Sequence, residues 1–447
     1  MSFGSRAASG RGMHAWRWLF ILTMLVLLAL LLGTGMKPVE AQSPPLEEAS
    51  PVPQEGVVPG EILVKFEPSA PSTNKKRVHG KKGGRTKEVI PEIEVEVVQV
   101  APGQEEARAA DYQEDPNVRY AEPNGVYRAV ETRSRRSDGA KANWTPSDSR
   151  VGGQWAFNNT GRNGWTRDAD IDAFEAWDVT RGSRDVPVAV LDSGVSPSHE
   201  DLPKAAETVN FSKSPTPDDA YGHGTHVAGT VAARTDNGTT GVAGTCPRCT
   251  LYNVKVLDDS GNGSYSSVAK GVRWAANHGA KVINMSLAGT GYSRTLKEAV
   301  DHAWGKGAVL VAAAGNGETN ARFYPAAYRN VVAVAATDQD DRKAVFSSYG
   351  SSWVDVAAPG VGILSTTQDG RYGRKSGTSM ATPHVAGVAG LVWSNSSGAD
   401  ARNESVRQKI EEAVDPIGGT GASSLGKGRI NACKAVGGSC DLNGSRR

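Results

Sequence analysis

At 447 residues the chain is long enough for two or three domains. Its 50 Lys and Arg nearly balance 48 Asp and Glu; with neither a long basic stripe nor an acidic tail, the sequence excludes nucleic acid as an expected partner. An apolar content of 38% with 52 glycines fits a soluble globular protein with many tight turns and close packings.

At the N-terminus, Arg6, Arg11 and Arg17 precede the uncharged run "LFILTMLVLLALLLG". "MKPVEAQS" follows, with small residues at Val39 and Ala41. Basic start, apolar run and small residues predict a secretory signal over 1–41, cut after Ala41. The alternative is an uncleaved anchor, but the run falls short of the roughly 20 residues that span a bilayer. The expectation is a secreted, extracellular protein that meets the membrane only during export. Residues 42–58, "QSPPLEEASPVPQEGVV", are rich in Pro and Glu and read as disordered.

A small α+β unit is predicted over 59–130. "GEILVKF" (60–66) and "EIEVEVVQV" (92–100) read as strands, "EEARAADYQED" (105–115) as a helix, and "NVRYAEPNGVYRAV" (117–130) as a strand with an extended tail. Residues 131–143 are polar and basic without apolar period, the pattern of an exposed linker open to proteolysis.

From Trp144 the pattern changes. Strands are predicted at "VPVAVLD" (186–192), "TLYNVKVLD" (250–258), "KVINMSL" (281–287), "AVLVAAAGN" (308–316) and "VVAVAATD" (331–338). Helices are predicted from His223, over 267–279, over 295–307, and from Thr378. Continuous apolar strands alternating with helices predict a doubly wound, mainly parallel α/β sheet over 144–447. The working residues of such sheets lie at the carboxyl ends of the strands. Asp192 and Asn316 stand there.

Each candidate residue also has an ordinary structural role. Asp192 could be a turn or cap acid, although a buried acid is costly unless a partner needs its charge. In "GHGTHVAG" the two histidines are three apart, with no Glu between them, unlike the zinc helix H-E-x-x-H. Glycine-lined His223 fits a base that must be approached closely; His226 reads as a packed neighbour. Ser379 opens an Ala- and Gly-rich helix, where serine commonly caps, yet its small neighbours leave room for a carbonyl and helix N–H groups can hold an oxyanion. Asn316 is a turn residue or an oxyanion donor.

The cysteines are Cys246, Cys249, Cys433 and Cys440. An even count in an exported chain suggests disulfides. Three pairings are possible, and Cys246 with Cys249 and Cys433 with Cys440 close the smallest loops. A Cys-x-x-Cys also serves as a redox pair or half a zinc site, but no second such pair is present.

The order Asp192, His223, Ser379, with Asn316 between His and Ser, is the subtilisin order among serine hydrolases. "VLDSGV", "GHGTHVAG", "VAAAGN" and "GTSMATPHVAG", together with "WTPSD", "GVAGT", "VKVLD" and "VDVAAPG", make nearly all of 144–436 resemble the subtilase family, and its thermitase branch. The resemblance implies a serine endopeptidase acting on proteins or peptides. Ser379 would be the nucleophile, His223 the base, Asp192 its orienting acid, and Asn316 an oxyanion donor. Ser286, Leu287, Ala288, Gly289, Ala314 and Gly315 would line the substrate cleft, with Ala288 where many subtilases have Gly. Broad cleavage favouring apolar side chains is expected.

Structural Ca²⁺ is the implied cofactor. Its ligands would be Asp148, Asp201, the Asn237 side chain and carbonyls near Arg234, Thr239 and Val242. Residues 59–130 resemble the inhibitory propeptide, the chain's own intramolecular partner, with the maturation cut between Arg128 and Trp144. A monomer is expected.

Overall fold

A computed structural model describes residues 56–133, 146–238, 240–418 and 422–440. The expected secretory signal, nearly all of 42–58, residues 134–143 of the expected linker, Trp144 and Thr239 lie outside the described residues.

The N-terminal unit runs β1 (Val57–Phe66), α1 (Ser72–Lys82), β2 (Arg85–Ile90), β3 (Val95–Gln99), α2 (Glu105–Gln113) and β4 (Val118–Ala129). Its sheet orders the strands β4-β1-β3-β2, antiparallel throughout. Ile62 and Val64 of β1 pack with Val78 of α1 and Tyr112 of α2. Leu63 points the other way, into the core of the following unit. Burial of both faces explains why "ILV" is a continuous apolar run.

Two elements here were not expected from sequence. Helix α1, "STNKKRVHGKK", carries almost no apolar period; it is held by buried Val78 and His79 and ended by Gly83 in the left-handed conformation. Strand β2 is an edge strand whose residues are mostly exposed. Residues 57–58, grouped in sequence with the disordered segment, open β1. Thr132–Arg133, grouped with the linker, form a short strand β5.

The larger unit continues with α3 (Ala173–Val179), β6 (Pro187–Asp192), β7 (Glu207–Asn210), α4 (Gly224–Ala232), β8 (Thr250–Lys255), β9 (Asn262–Ser264), α5 (Tyr265–Asn277), β10 (Val282–Met285) and β11 (Leu287–Ala288). Then come α6 (Arg294–Gly305), β12 (Val309–Ala313), β13 (Val331–Thr337), β14 (Val356–Pro359), β15 (Ile363–Thr366), β16 (Tyr372–Ser376) and α7 (Thr378–Ser394). The C-terminal part holds α8 (Asn403–Glu412), β17 (Val414–Asp415), β18 (Arg429–Ile430) and α9 (Ala432–Ala435). The main sheet has the order β17-β18-β14-β13-β12-β10-β6-β8-β7 and is parallel except for β17.

Strand alternation builds a core on each face. Val188, Val190, Val309 and Val311 pack with Val227 of α4 and Val385 and Val388 of α7. Ala189, Leu191, Leu310 and Ala312 pack with Val268 and Val272 of α5 and Val300 of α6. Helix α7 lies buried from Thr378 to Trp393. Cys246 and Cys249 form a disulfide under it, as Cys433 and Cys440 do near the C-terminus. A Cβ on Gly390 of α7 would stand 2.7 Å from Cys249 Sγ, so the close approach of helix and bridge requires glycine.

Candidate active site

Asp192 is the last residue of β6, and Asn316 follows the end of β12, so both lie at the carboxyl edge of the parallel sheet. Asp192 is buried. Its Oδ1 accepts from the Ser193 N–H and from His223 Nδ1, each at 2.7 Å. Fully buried Lys255 braces this turn, donating to the carbonyls of Ser193 and Asp218 and to the carboxylate of Asp259. A Cβ on Gly224 would stand 2.1 Å from the Gly194 carbonyl, so the start of α4 reaches this turn only with glycine there.

His223 immediately precedes α4. Burial opposes its protonation, but the carboxylate of Asp192, helped by that of Glu131, outweighs burial and raises its pKa above the ordinary value. His226 differs. Its Nε2 donates to the carbonyls of Ile363 and Gly373 at 3.0 and 3.2 Å, and burial holds its pKa well below the ordinary value. The two histidines therefore serve different partners.

Ser379 is the second residue of α7. Its Oγ donates to the Ser286 carbonyl (2.9 Å) and accepts from the Val130 N–H (3.2 Å). His223 Nε2 is buried without a hydrogen-bond partner. The nucleophile candidate is thus engaged by the N-terminal unit's strand and not by His223. Asn316 Oδ1 accepts from the N–H and hydroxyl of Thr378, both at 2.9 Å. That fixes the amide and leaves Nδ2 a buried donor without a partner. A Cβ on Gly377 would stand 2.6 Å from the Val130 carbonyl oxygen and 3.0 Å from Asn316 Nδ2. Glycine thus leaves open the space where a peptide carbonyl lies near an unused donor.

The strand crossing this space belongs to the same chain. In β4, Val126, Tyr127 and Arg128 pair with Ser264, Gly263 and Asn262 of β9. On the other side, Arg128 and Ala129 pair with Ala288 and Leu287 of β11. Beyond the site, Thr132 and Arg133 of β5 pair with Ser376 and Lys375 of β16. Between these pairings, the Val130 N–H meets Ser379 Oγ and the Val130 carbonyl lies against Gly377.

Of the six expected cleft residues, Leu287 and Ala288 pair with this strand, and Ser286 bonds to Ser379. Gly289 faces the Tyr127 ring, 2.6 Å from where its Cβ would be. The N–H groups of Ala314 and Gly315 go to the Val334 carbonyl and the Thr378 hydroxyl.

A model of the subtilase family matches residues 183–429, more than half of the chain. The chain belongs to the subtilase family. It is a subtilisin-like serine peptidase with an N-terminal prodomain: a second family model, the Fervidolysin N-terminal prodomain, matches residues 43–124. Thermitase of Thermoactinomyces vulgaris is 51% identical over 270 residues, covering 60% of this chain and 93% of thermitase. The thermophilic serine proteinase of Bacillus sp. (strain AK1) is 40% identical over 382 residues, 85% of this chain and 88% of its own. Among solved structures, a protease from Pseudoalteromonas arctica PAMC 21717 aligns with TM-score 0.58 and 33% identity, covering 66% of this chain and 99% of its own.

Two prodomain residues cap helix starts of this subtilase. Glu122 accepts from the Ser293 hydroxyl and from the N–H groups of Arg294 and Thr295, at 2.9 to 3.0 Å, at the start of α6. Asn124 accepts from the Ser266 N–H at the start of α5, at 3.1 Å. A carboxylate at a helix N-terminus meets unpaired donors and the positive end of the dipole.

The expected calcium ligands are brought together in part. Asp148 and Asp201 are buried. Asn237 Nδ2 and the Val242 N–H donate to Asp201 at 2.8 Å, and the Arg234 N–H donates to the Asp201 carbonyl at 2.7 Å. Val242 and Arg234 thus meet Asp201 through N–H groups. Asp148 Oδ1 is buried without a partner, and burial raises its carboxyl to about 6, with the Asp201 charge adding. A buried oxygen-rich cluster with an unsatisfied carboxylate fits a hard divalent cation.

The sequence reading passed over a second acidic group, Asp168, Asp170 and Asp172, whose carboxylates lie within 4.8 Å of one another. Buried Arg429 donates to the carbonyls of Asp170 (2.5 Å) and Asp168 (2.7 Å) and pairs with Asp341 and Asp415. The alternating "DADID" was its only signal; its partner lies 259 residues away.

Proposed function

We propose that the protein is a secreted, calcium-stabilised endopeptidase made as a zymogen that cuts itself. The observation that carries the reading is the strand 126–133 lying across Ser379 in the manner of a substrate, with the Val130 carbonyl beside the unused amide of Asn316. An extended peptide added between two strands is held by its backbone. Side-chain specificity is then left to pockets, which suits a broad protease.

In this reading Ser379 Oγ attacks the peptide carbonyl. His223 Nε2, now unpartnered, takes its proton and returns it to the leaving amine. Asp192 orients the imidazole and stabilises its charge. Asn316 Nδ2 and the Ser379 N–H hold the oxyanion. Buried Val130 and Tyr127 support a preference for apolar and aromatic side chains before the cut. The prodomain assists folding and blocks the cleft until it leaves. Asp148, Asp201 and Asn237 would hold Ca²⁺, whose charge offsets the repulsion between two buried acids. Export rests on the N-terminal signal.

The test is expression of the full chain beside Ser379→Ala, with N-terminal sequencing of both products and of the culture medium. A wild type that loses its prodomain while the variant keeps it supports the reading. Identical maturation of the two would remove self-cleavage from it.

A further inference from the structure

We propose that Lys375 makes this peptidase select an acidic residue immediately after the scissile bond, and that its own Val130–Glu131 bond is the first it cuts. The inference rests on the reading of Ser379 as the nucleophile.

Register comes first. Residues 128–129 are fixed by pairing with 288 and 287, and residues 132–133 by pairing with 376 and 375. Between these two anchors the Val130 N–H goes to Ser379 Oγ, and it is the Val130 carbonyl that lies against Gly377, near the unused Nδ2 of Asn316. Val130 is then the residue before the cut and Glu131 the residue after it. Glu131 Oε2 lies 2.5 Å from Lys375 Nζ.

This pair is not a loose surface contact. The two side chains are 18% and 19% exposed, so both are largely withdrawn from water, where a charge-assisted hydrogen bond is strong and a like charge is costly. Lys375 lies on β16, four residues before Ser379, on the strand that pairs with the leaving-group side of the chain. Among the described residues, Glu131 is the only acid paired with it. Its charge also reaches the base: Lys375 lowers the proton affinity of His223 while Glu131 raises it. Once the prodomain departs, Glu131 stays on the catalytic chain as its new N-terminus, and a substrate enters this subsite by displacing residues 131–133 from β16. Lys375 then stands without its carboxylate at the subsite for the leaving amine. An incoming Glu or Asp restores the pair, a neutral residue leaves the cation half-solvated, and Lys or Arg meets repulsion. Hydrolysis of Val130–Glu131 adds water across the bond, giving a Val130 carboxylate and a Glu131 amine.

The test uses mature enzyme obtained from the full chain and three quenched fluorescent peptides with Val before the cut, alike except for Glu, Gln or Lys after it. The wild type is expected to prefer Glu to Lys by about tenfold in kcat/KM, the scale of one charge-assisted hydrogen bond. The preference should shrink as salt is raised, because screening weakens it. Lys375→Glu should reverse the order. Mass spectrometry of the released prodomain should give a chain ending at Val130, and Glu131→Lys should slow that cut. Equal rates for the Glu and Lys peptides in the wild type would overturn the selection, with or without a folded variant. So would an unchanged order in Lys375→Glu. A prodomain ending elsewhere would overturn the register. Failure to cut even the Gln peptide would overturn the nucleophile reading, and this inference with it.

Discussion

The Val130 N–H donates to Ser379 Oγ at 3.2 Å across 249 residues of sequence. The prodomain's last strand therefore occupies the cleft as a peptide would, and it holds the serine hydroxyl away from His223, whose Nε2 has no partner. In the proposed reading, inhibition and self-cleavage are two outcomes of one geometry: once the hydroxyl turns toward His223, the Val130 carbonyl is in reach.

Ser379→Ala should therefore accumulate as an uncut chain with its prodomain bound, and the wild type should not. Intact mass of the purified products reads this directly. Prodomain loss from the alanine variant in the absence of other proteases would sink the assignment.

With Asn316 as the proposed oxyanion donor, Asn316→Ala should lower kcat by about 10² to 10³ with KM nearly unchanged, the magnitude that loss of such a donor costs in subtilisin. The amide is already oriented by Thr378 before any charge develops. Steady-state kinetics on one peptide would show it; a loss confined to KM would mean that Asn316 only binds substrate.

The pH behaviour of His223 follows from its neighbours. In the uncut Ser379→Ala chain, NMR titration should place His223 above 6.5, because Asp192 outweighs the opposing effect of burial. Asp192→Asn should drop it below that value, since burial then acts without its main opponent. Stability and activity run in opposite directions here. The raised pKa contributes stability that is complete below the unfolded value and is lost as pH rises through the folded one. With His223 as the proposed base, activity needs the neutral imidazole and should appear over the same rise.

Calcium removal should be felt most at neutral and alkaline pH. Without a cation, burial raises Asp148 to about 6. Its contribution to stability is then present below the ordinary carboxylate value and lost as pH climbs through about 6. The Tm difference between protein with Ca²⁺ and protein with EDTA should widen from pH 5 to pH 7, the range spanning that value. Asp148→Asn should narrow it. A pH-independent gap would separate calcium from this acid pair.

Glu122→Ala should speed release of the cut prodomain by at least about tenfold, since hydrogen bonds to a charged group are each worth about 1.5–3 kcal/mol. The lag between cleavage and the appearance of activity measures this. An unchanged lag would mean that the capping of α6 contributes nothing to retention.

Much of this was legible locally. The strands ending at Asp192 and before Asn316 are continuous apolar runs, and the helices beginning at His223 and Thr378 are flanked by the glycines that let them approach the sheet. Helix α1 and strand β2 were missed because their polar sequences carry no period; β2 is held by its pairing with β3, a partner outside its own sequence. The "DADID" acids gave no sign of Arg429, because a buried ion network is assembled by distant segments.

The sequence by itself determined the chemistry available: which residues end strands, which helices begin with small neighbours, and the order in which Asp192, His223, Asn316 and Ser379 follow one another. Those are properties of periodicity and residue type, which act over a few positions. Only the tertiary structure decided that the Val130 N–H meets Ser379, that Lys375 meets Glu131, and that Asp148 keeps an unsatisfied buried oxygen. Each depends on strand register and on burial of charge, and both are set by packing between segments far apart in the chain.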